Sequence, residues 1–351
     1  MRFTSYLNES KKIEGFNVIE RRFSDNDDYL TIGLGNIHAF LPEVDDKTNP
    51  ASIEKNKLKI ERAAKVFKDL GVNMAIFPEF CLAGYFWDES PSKGLDNEEQ
   101  QGDPECWEYM ENAVIENHGE WIDGTLKPML DNKFQFIMFN NIRRGPERKY
   151  LNSTYVINKG MDHRNPEFTY DKILLPGIEK TYTISGQTDR LVIDTDWGRF
   201  GFTSCYDFCF SQLLQEYSQV DEVDAVIQIA SWRGTGERDY DLMNVYTDTY
   251  YGDLWDMFMQ SRSSTNQIWV VACNAVGVHN ISKAKFWGGS GLWAPSGLKL
   301  YQASNDYDEL VVIRNVDIQG LRGEEKDDFD YSLDFNKIYN RIEGKRAFTR
   351  L

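Results

Sequence analysis

The sequence predicts an α/β fold built as one domain. Three observations carry that prediction. Apolar strand-like segments alternate with helical spacing in the first half, and strand pairs intervene later. No Pro/Gly/Ser-rich linker and no internal repeat divides the 351 residues. Apolar residues make up 41% and aromatics 14%, enough for a large core. The domain is placed at residues 29–317, between an N-terminal extension (1–28) and a C-terminal tail (318–351).

Residues 1–28 are polar and end in Ser24-Asp25-Asn26-Asp27-Asp28, which predicts an extension that is partly ordered at best. Leu30 to Leu34 reads as the first strand. Ala51 to Leu70 has helical spacing, with Ile60, Ala63, Ala64, Phe67 and Leu70 on one face and Gly71 as the stop. Asn73 to Phe77 is a buried strand that ends at Pro78. A helix follows around Glu105 to Asn117. Phe134 to Phe139 and Ser153 to Ile157 are strands joined through an arginine-rich hairpin turn, Arg143-Arg144-Gly145-Pro146. Arg199 to Ser204 is a strand, and Ser211 to Ser218 a short helix with Leu213, Leu214 and Tyr217 on one side. Further strands are expected at Ala225 to Ile229, Gln267 to Ala272, Gly291 to Trp293 and Glu309 to Arg314, with a helix at Asp253 to Thr265. The charged tail carries Phe329, Tyr331, Leu333 and Phe335. It is expected either to pack on a partner subunit or to fray.

Lys plus Arg is 39 and Asp plus Glu is 56, a formal charge of −17. A nucleic-acid surface needs a basic face, so that class is excluded, and an anionic membrane surface with it. No apolar run follows Met1, no stretch has the length of a membrane span, and the five cysteines are odd in number and scattered. The expectation is a reduced, cytoplasmic protein without a disulfide framework.

Three residues stand beside predicted strand ends, where α/β folds carry their chemistry. Glu79 follows Asn73–Phe77 in apolar company, where burial would suit it to proton transfer. Lys172 precedes an apolar run, so its ammonium is drawn inward unless it is an ordinary exposed lysine. Cys205 sits where a strand gives way to a helix. Free N–H groups and the helix dipole there favour a thiolate; the alternative is a small buried hydrophobe. The four histidines share no address, so a Cys–His arrangement is a poor fit.

The motifs around these residues resemble the carbon–nitrogen hydrolase (nitrilase) superfamily, in its amidase- or carbamoylase-like branch. Phe77-Pro78-Glu79 with Gly84-Tyr85, Tyr170-Asp171-Lys172 with Leu174 or Leu175, and Gly201 to Asp207 around Cys205-Tyr206-Asp207 look like its three motifs in order. Asn152-Ser153-Thr154, the Trp255 to Gly277 segment and Gly288-Gly289-Ser290 look like its flanks. The resemblance implies a four-layer α-β-β-α sandwich and no metal or organic cofactor. It implies a catalytic triad of Glu79 as base, Lys172 as oxyanion stabiliser and Cys205 as nucleophile. The backbone N–H of Tyr206 would assist Lys172, and Glu179 is the match for a supporting second glutamate. Phe80, Tyr85, Trp87, Trp232 and Trp287 are candidates to shape the pocket, with the core as their alternative place.

The substrate implied is a small linear amide or N-carbamoyl amine. A nitrile, or thioester-mediated acyl transfer to an amine, is the alternative. A homodimer or larger homo-oligomer is expected. The chain departs from many amidase-like members at Cys209, where they have arginine, and at Ser211-Gln212, where they have proline-glutamate. It departs from nitrilases proper at Tyr206-Asp207, where they have Trp-Glu.

Overall fold

A computed structural model describes residues 9–43, 45–85, 102–187, 190–240, 243, 245–279 and 283–338. Its strands in chain order are β1 (Glu9–Ile13), β2 (Phe16–Arg22), β3 (Leu30–Asn36), β4 (Met74–Ile76), β5 (Phe136–Arg144), β6 (Tyr150–Ile157), β7 (Thr169–Asp171), β8 (Val192–Thr195) and β9 (Gly198–Ser204). They continue with β10 (Ala225–Ala230), β11 (Arg238–Tyr240), β12 (Val245–Thr247), β13 (Trp269–Asn274), β14 (Val276–Val278), β15 (Lys285–Trp287), β16 (Gly291–Trp293), β17 (Lys299–Gln302) and β18 (Glu309–Val316). The helices are α1 (Ala51–Asp69), α2 (Pro104–Ala113), a one-turn α3 (Gly119–Trp121), α4 (Ser211–Gln219), α5 (Tyr250–Asn266), α6 (Ile318–Asp328) and α7 (Tyr331–Ile338).

Two sheets stack face to face. One has the order β1-β2-β18-β3-β4-β5-β6-β7, the other β17-β16-β13-β10-β9-β8. Period-2 alternation explains the layering. In β10, Ala225, Ile227 and Ile229 point into the core between the sheets, while Val226 and Ala230 point toward α4 and α5. In β18, Val311 and Ile313 face the inter-sheet core, and Leu310 and Val312 face the core shared with α1 and α2. Strands apolar on both faces need cover on both. The result is the expected four-layer α-β-β-α sandwich.

Helix α1 follows the predicted pattern. Ile53, Ile60, Ala63, Ala64 and Phe67 are buried, and the chain leaves through Gly71 at φ +70°. The segments β3, β4 and β5 run parallel, as do β9, β10 and β13. Their carboxyl ends carry Glu79, Cys205 and Ser231. Helix α4 lies close on β9: a Cβ at Gly201 would stand 2.5 Å from the Tyr217 ring. Gly201→Ala is therefore expected to destabilise the protein by about 1–3 kcal/mol through overpacking. Urea unfolding checks this; unchanged stability contradicts the close contact.

The N-terminal expectation is corrected. Residues 9–22 form an antiparallel hairpin, β1–β2, and β2 pairs parallel with β18 from Asn17↔Glu309 to Arg22↔Arg314. Phe16 and Val18 supply the buried side, and Arg314 is paired with Glu20. The rest is polar because the hairpin is a sheet edge, where charge discourages further pairing. The start of the tail also packs on its own chain. Ile318 accepts a hydrogen bond from the Trp269 indole at 2.8 Å, and Arg322 reaches Asp224 at 2.7 Å. Residues 339–351 lie outside the described ones. No helix among the described residues is long and apolar enough to cross a membrane.

Candidate active site

Glu79 sits where β4 ends. Its N–H donates to Ala230 O at 3.3 Å, so this loop bridges the two sheets. The side chain is buried, at 1% exposure, among converging donors. Oε1 accepts from Lys172 Nζ (2.9 Å), Asn152 Nδ2 (2.8 Å) and Ser204 Oγ (3.3 Å). Oε2 accepts from the Ser231 N–H (2.8 Å), and the Ser231 hydroxyl donates to the Glu79 carbonyl (2.7 Å). A buried carboxylate needs such partners.

Lys172 follows β7 directly, and its N–H donates to Asn152 O at 2.8 Å. Its ammonium has no exposed surface and lies 2.6 Å from Glu179 Oε1 as well as 2.9 Å from Glu79. Burial alone pulls an ammonium toward neutrality. Here Glu179 and Glu79 outweigh it and hold Lys172 well above its ordinary value, so it stays charged. Two carboxylates sharing one cation leave an excess negative charge. Burial raises Glu179 to about 7 against the opposing pull of Lys172. Asn152 Nδ2 also donates to Glu179 Oε2 at 3.1 Å, and Tyr85 OH to Oε1 at 3.1 Å.

Cys205 begins the turn after β9 with φ +48°, a left-handed conformation unusual outside glycine. Such a conformation costs about 1–3 kcal/mol and persists only where the surroundings dictate it. Gln228 Nε2 donates to its carbonyl at 3.0 Å and is itself held by Thr203 at 2.6 Å. The thiol is pushed well above its ordinary value by burial first and by Glu79 second, with Lys172 opposing. This outweighs the pull toward a thiolate expected from the free N–H groups of the turn. The Cys205–Cys209 turn is a single 3₁₀ segment, and burial beside two carboxylates overrides the positive helix end.

Tyr206 is exposed at its side chain, while its N–H lies in the first turn, where amides lack an intrahelical acceptor. Of the aromatic candidates, Phe80 packs in the core beside Tyr85 (5.5 Å between rings), and Tyr85 reaches the glutamate cluster. Trp232 takes the core position: its indole donates to Tyr251 O at 2.7 Å and packs against Trp255. Trp287 is part-buried against the same helix, with its indole N–H unpartnered among the described residues. Trp87 lies outside the described residues. At the two departures, Cys209 O accepts from Arg262 Nη2 at 2.9 Å, and Gln212 faces solvent. No set of three or more His, Cys, Asp or Glu among the described residues is placed to hold a metal.

Sequence reasoning gave no role to Asn152, Ser231, Ser204 or Gln228. Asn152 lay in a flanking motif and Ser204 in the motif around Cys205, each without a role of its own. Ser231 and Gln228 carried no signal beyond being polar residues in or beside an apolar strand.

The family model for carbon-nitrogen hydrolase matches residues 44–323. A Schizosaccharomyces pombe protein named as a probable nitrilase is 23% identical over 271 residues, covering 77% of this chain and 85% of that protein. Among solved structures, a carbon–nitrogen hydrolase from Helicobacter pylori G27 aligns with a TM-score of 0.65 at 18% identity, over 91% of this chain and 99% of that one. A mutant amidase from Nesterenkonia sp. AN1, whose active-site cysteine carries the acetamide moiety of fluoroacetamide, aligns at 0.61 with 16% identity over 88% and 99%. With the matched span and the shared four-layer fold together, the chain belongs to the carbon–nitrogen hydrolase family.

Proposed function

We propose that this hydrolase cleaves the C–N bond of a small linear amide or N-carbamoyl amine through a thioester on Cys205. One observation carries the reading: Lys172 is buried between Glu79 and Glu179, at 2.9 and 2.6 Å, in the site that also holds Cys205. Because the thiol is held protonated, attack needs a base. Oε1 of Glu79 already receives three donors and Oε2 one, so Oε2 takes the proton.

Cys205 Sγ bonds to the carbonyl carbon as its proton passes to Glu79. The oxyanion forms against Lys172 and the Tyr206 N–H. The C–N bond then breaks, and Glu79 returns its proton to the departing nitrogen, which leaves as ammonia or an amine. Water next gives a proton to Glu79 and its oxygen to the thioester carbon. The C–S bond breaks, Glu79 reprotonates the sulfur, and the acid is released. Glu179 and Asn152 hold Lys172 and Glu79 in register.

Tyr206-Asp207 after the nucleophile, where nitrilases proper have Trp-Glu, favours amides over nitriles. The name of the Schizosaccharomyces pombe relative favours the second reading, nitrile to acid and ammonia. A panel of small amides, N-carbamoyl amines and nitriles, followed by ammonia release and intact mass, separates the two. Turnover of the first two classes is expected; turnover of nitriles alone overturns the amide reading.

A further inference from the structure

Asp207 has no part in the reaction just described, yet its carboxylate is fully buried two residues from Cys205. Three donors converge on it. Tyr170 OH donates to Oδ2 at 2.7 Å, the Leu174 N–H to Oδ1 at 2.7 Å, and the Ser204 N–H to Oδ2 at 3.2 Å. Tyr170 and Leu174 stand two residues to either side of Lys172, and Ser204 is the residue before Cys205. The backbone N–H of Asp207 donates in turn to the Ser204 side chain, closing a reciprocal cap. The Ser204 hydroxyl passes the chain on to Glu79 Oε1 at 3.3 Å.

We infer that Asp207 is a positioning residue that sets the relative placement of nucleophile, lysine and base. One acceptor-only group clamps both flanks of Lys172 and the strained entry to Cys205, and reaches Glu79 through Ser204. The inference rests on the proposed roles of those three residues. The carboxylate is needed rather than its shape. In an isosteric amide, one acceptor oxygen would be replaced by an N–H donor facing the Ser204 N–H and Tyr170 O–H. Tyr170 can rotate to accept from it, but the Ser204 N–H would be left buried without an acceptor; with the amide flipped, the Leu174 N–H is the one left without an acceptor, so either orientation breaks one arm of the clamp. The left-handed backbone at Cys205 would then lose one of the contacts that holds it.

Charge supports the same view. Burial raises Asp207 to about 6, with Lys172 the main opposing influence. Tyr170 and Tyr217 face it from β7 and α4, and Cys209 from its own turn. Protonation below that value would remove acceptor capacity from the clamp, so the site should lose its geometry on the acid side.

The test is the rate at which iodoacetamide alkylates Cys205, followed by peptide mapping from pH 5 to 9, for native protein, Asp207→Asn and Tyr170→Phe. Alkylation of a thiol held protonated falls with its thiolate fraction as pH drops, and native protein is expected to show a further acid-side step near pH 6 on top of that fall. Asp207→Asn should lose that step and react about tenfold or more slowly across the range, with thermal unfolding measured alongside. Tyr170→Phe removes one donor and keeps the charge. It should retain the pH step, lose a few-fold in rate and remain folded even if Asp207→Asn does not. Rates and profiles for both variants within twofold of native overturn the inference while leaving the nucleophile intact. Absence of alkylation at Cys205 in the native protein overturns the proposed nucleophile, and the inference with it.

Discussion

Replacing Lys172 with methionine is expected to lower both stability and turnover. The ammonium, Glu79 and Glu179 all have side chains without exposed surface. Methionine fills similar volume but leaves two carboxylates facing each other without a cation. Removing one partner of a buried ion pair costs about 3–5 kcal/mol, because the charge left behind has neither water nor partner. One carboxylate must then take up a proton, its value rises, and the loss of stability deepens as pH rises. Turnover should fall roughly 100- to 1000-fold from loss of the proposed oxyanion donor alone. The double variant Lys172→Met/Glu179→Gln removes one of the two unpaired carboxylates and leaves Glu79 with its Asn152, Ser204 and Ser231 donors, so it should recover part of the stability, but not the activity. Urea titrations at pH 6 and 8 with ammonia-release assays check each part. A single variant with native stability would contradict the buried-cation account.

Cys205→Ala is expected to abolish turnover, by roughly 10⁴-fold or more, with stability changed by no more than about 1 kcal/mol. Alanine keeps the backbone of the turn and removes only the sulfur. Glu79, Lys172, Asn152 and Glu179 remain in contact, so the substrate-binding surroundings persist without a nucleophile. Cys205→Ser should be nearly as inactive, because Glu79 would have to deprotonate a far weaker acid in the same buried place. Substrate binding by Cys205→Ala, measured by calorimetry with an amide that the native protein turns over, should survive. Undiminished hydrolysis by this variant would remove the covalent mechanism altogether.

The proposed catalytic side chains were legible because each lies in a short local pattern. Phe77-Pro78-Glu79, Tyr170-Asp171-Lys172 and Ser204-Cys205-Tyr206-Asp207 each end a strand or open a turn, and strand ends are visible in one sequence. Their supports were not legible, because they depend on register between distant strands. Ser231 meets Glu79 across 152 positions and across the gap between two sheets. Gln228 meets the Cys205 carbonyl only because β10 runs parallel to β9 with Ile229 opposite Ser204.

Only one side of the balance on the thiol could be read from the sequence, for a related reason. A positive helix end is local, while burial and the two glutamates are tertiary. The N-terminal hairpin was missed because an edge strand looks like a polar extension until its partner is known, and β18 is at the far end of the domain. At Cys209 and Gln212 the sequence left open whether the pocket or only its support changes. In the structure one lends a backbone carbonyl to Arg262 and the other faces solvent.

The central claim is that Cys205, among the five cysteines, is the nucleophile. Incubation with a small excess of iodoacetamide, whose iodide is displaced far faster than an amide is hydrolysed, followed by peptide mapping tests it directly. The account predicts one acetamide adduct per chain on Cys205, absent in Cys205→Ala and slowed in Glu79→Gln. An adduct on Cys209, the part-exposed neighbour, with Cys205 unmodified would contradict it.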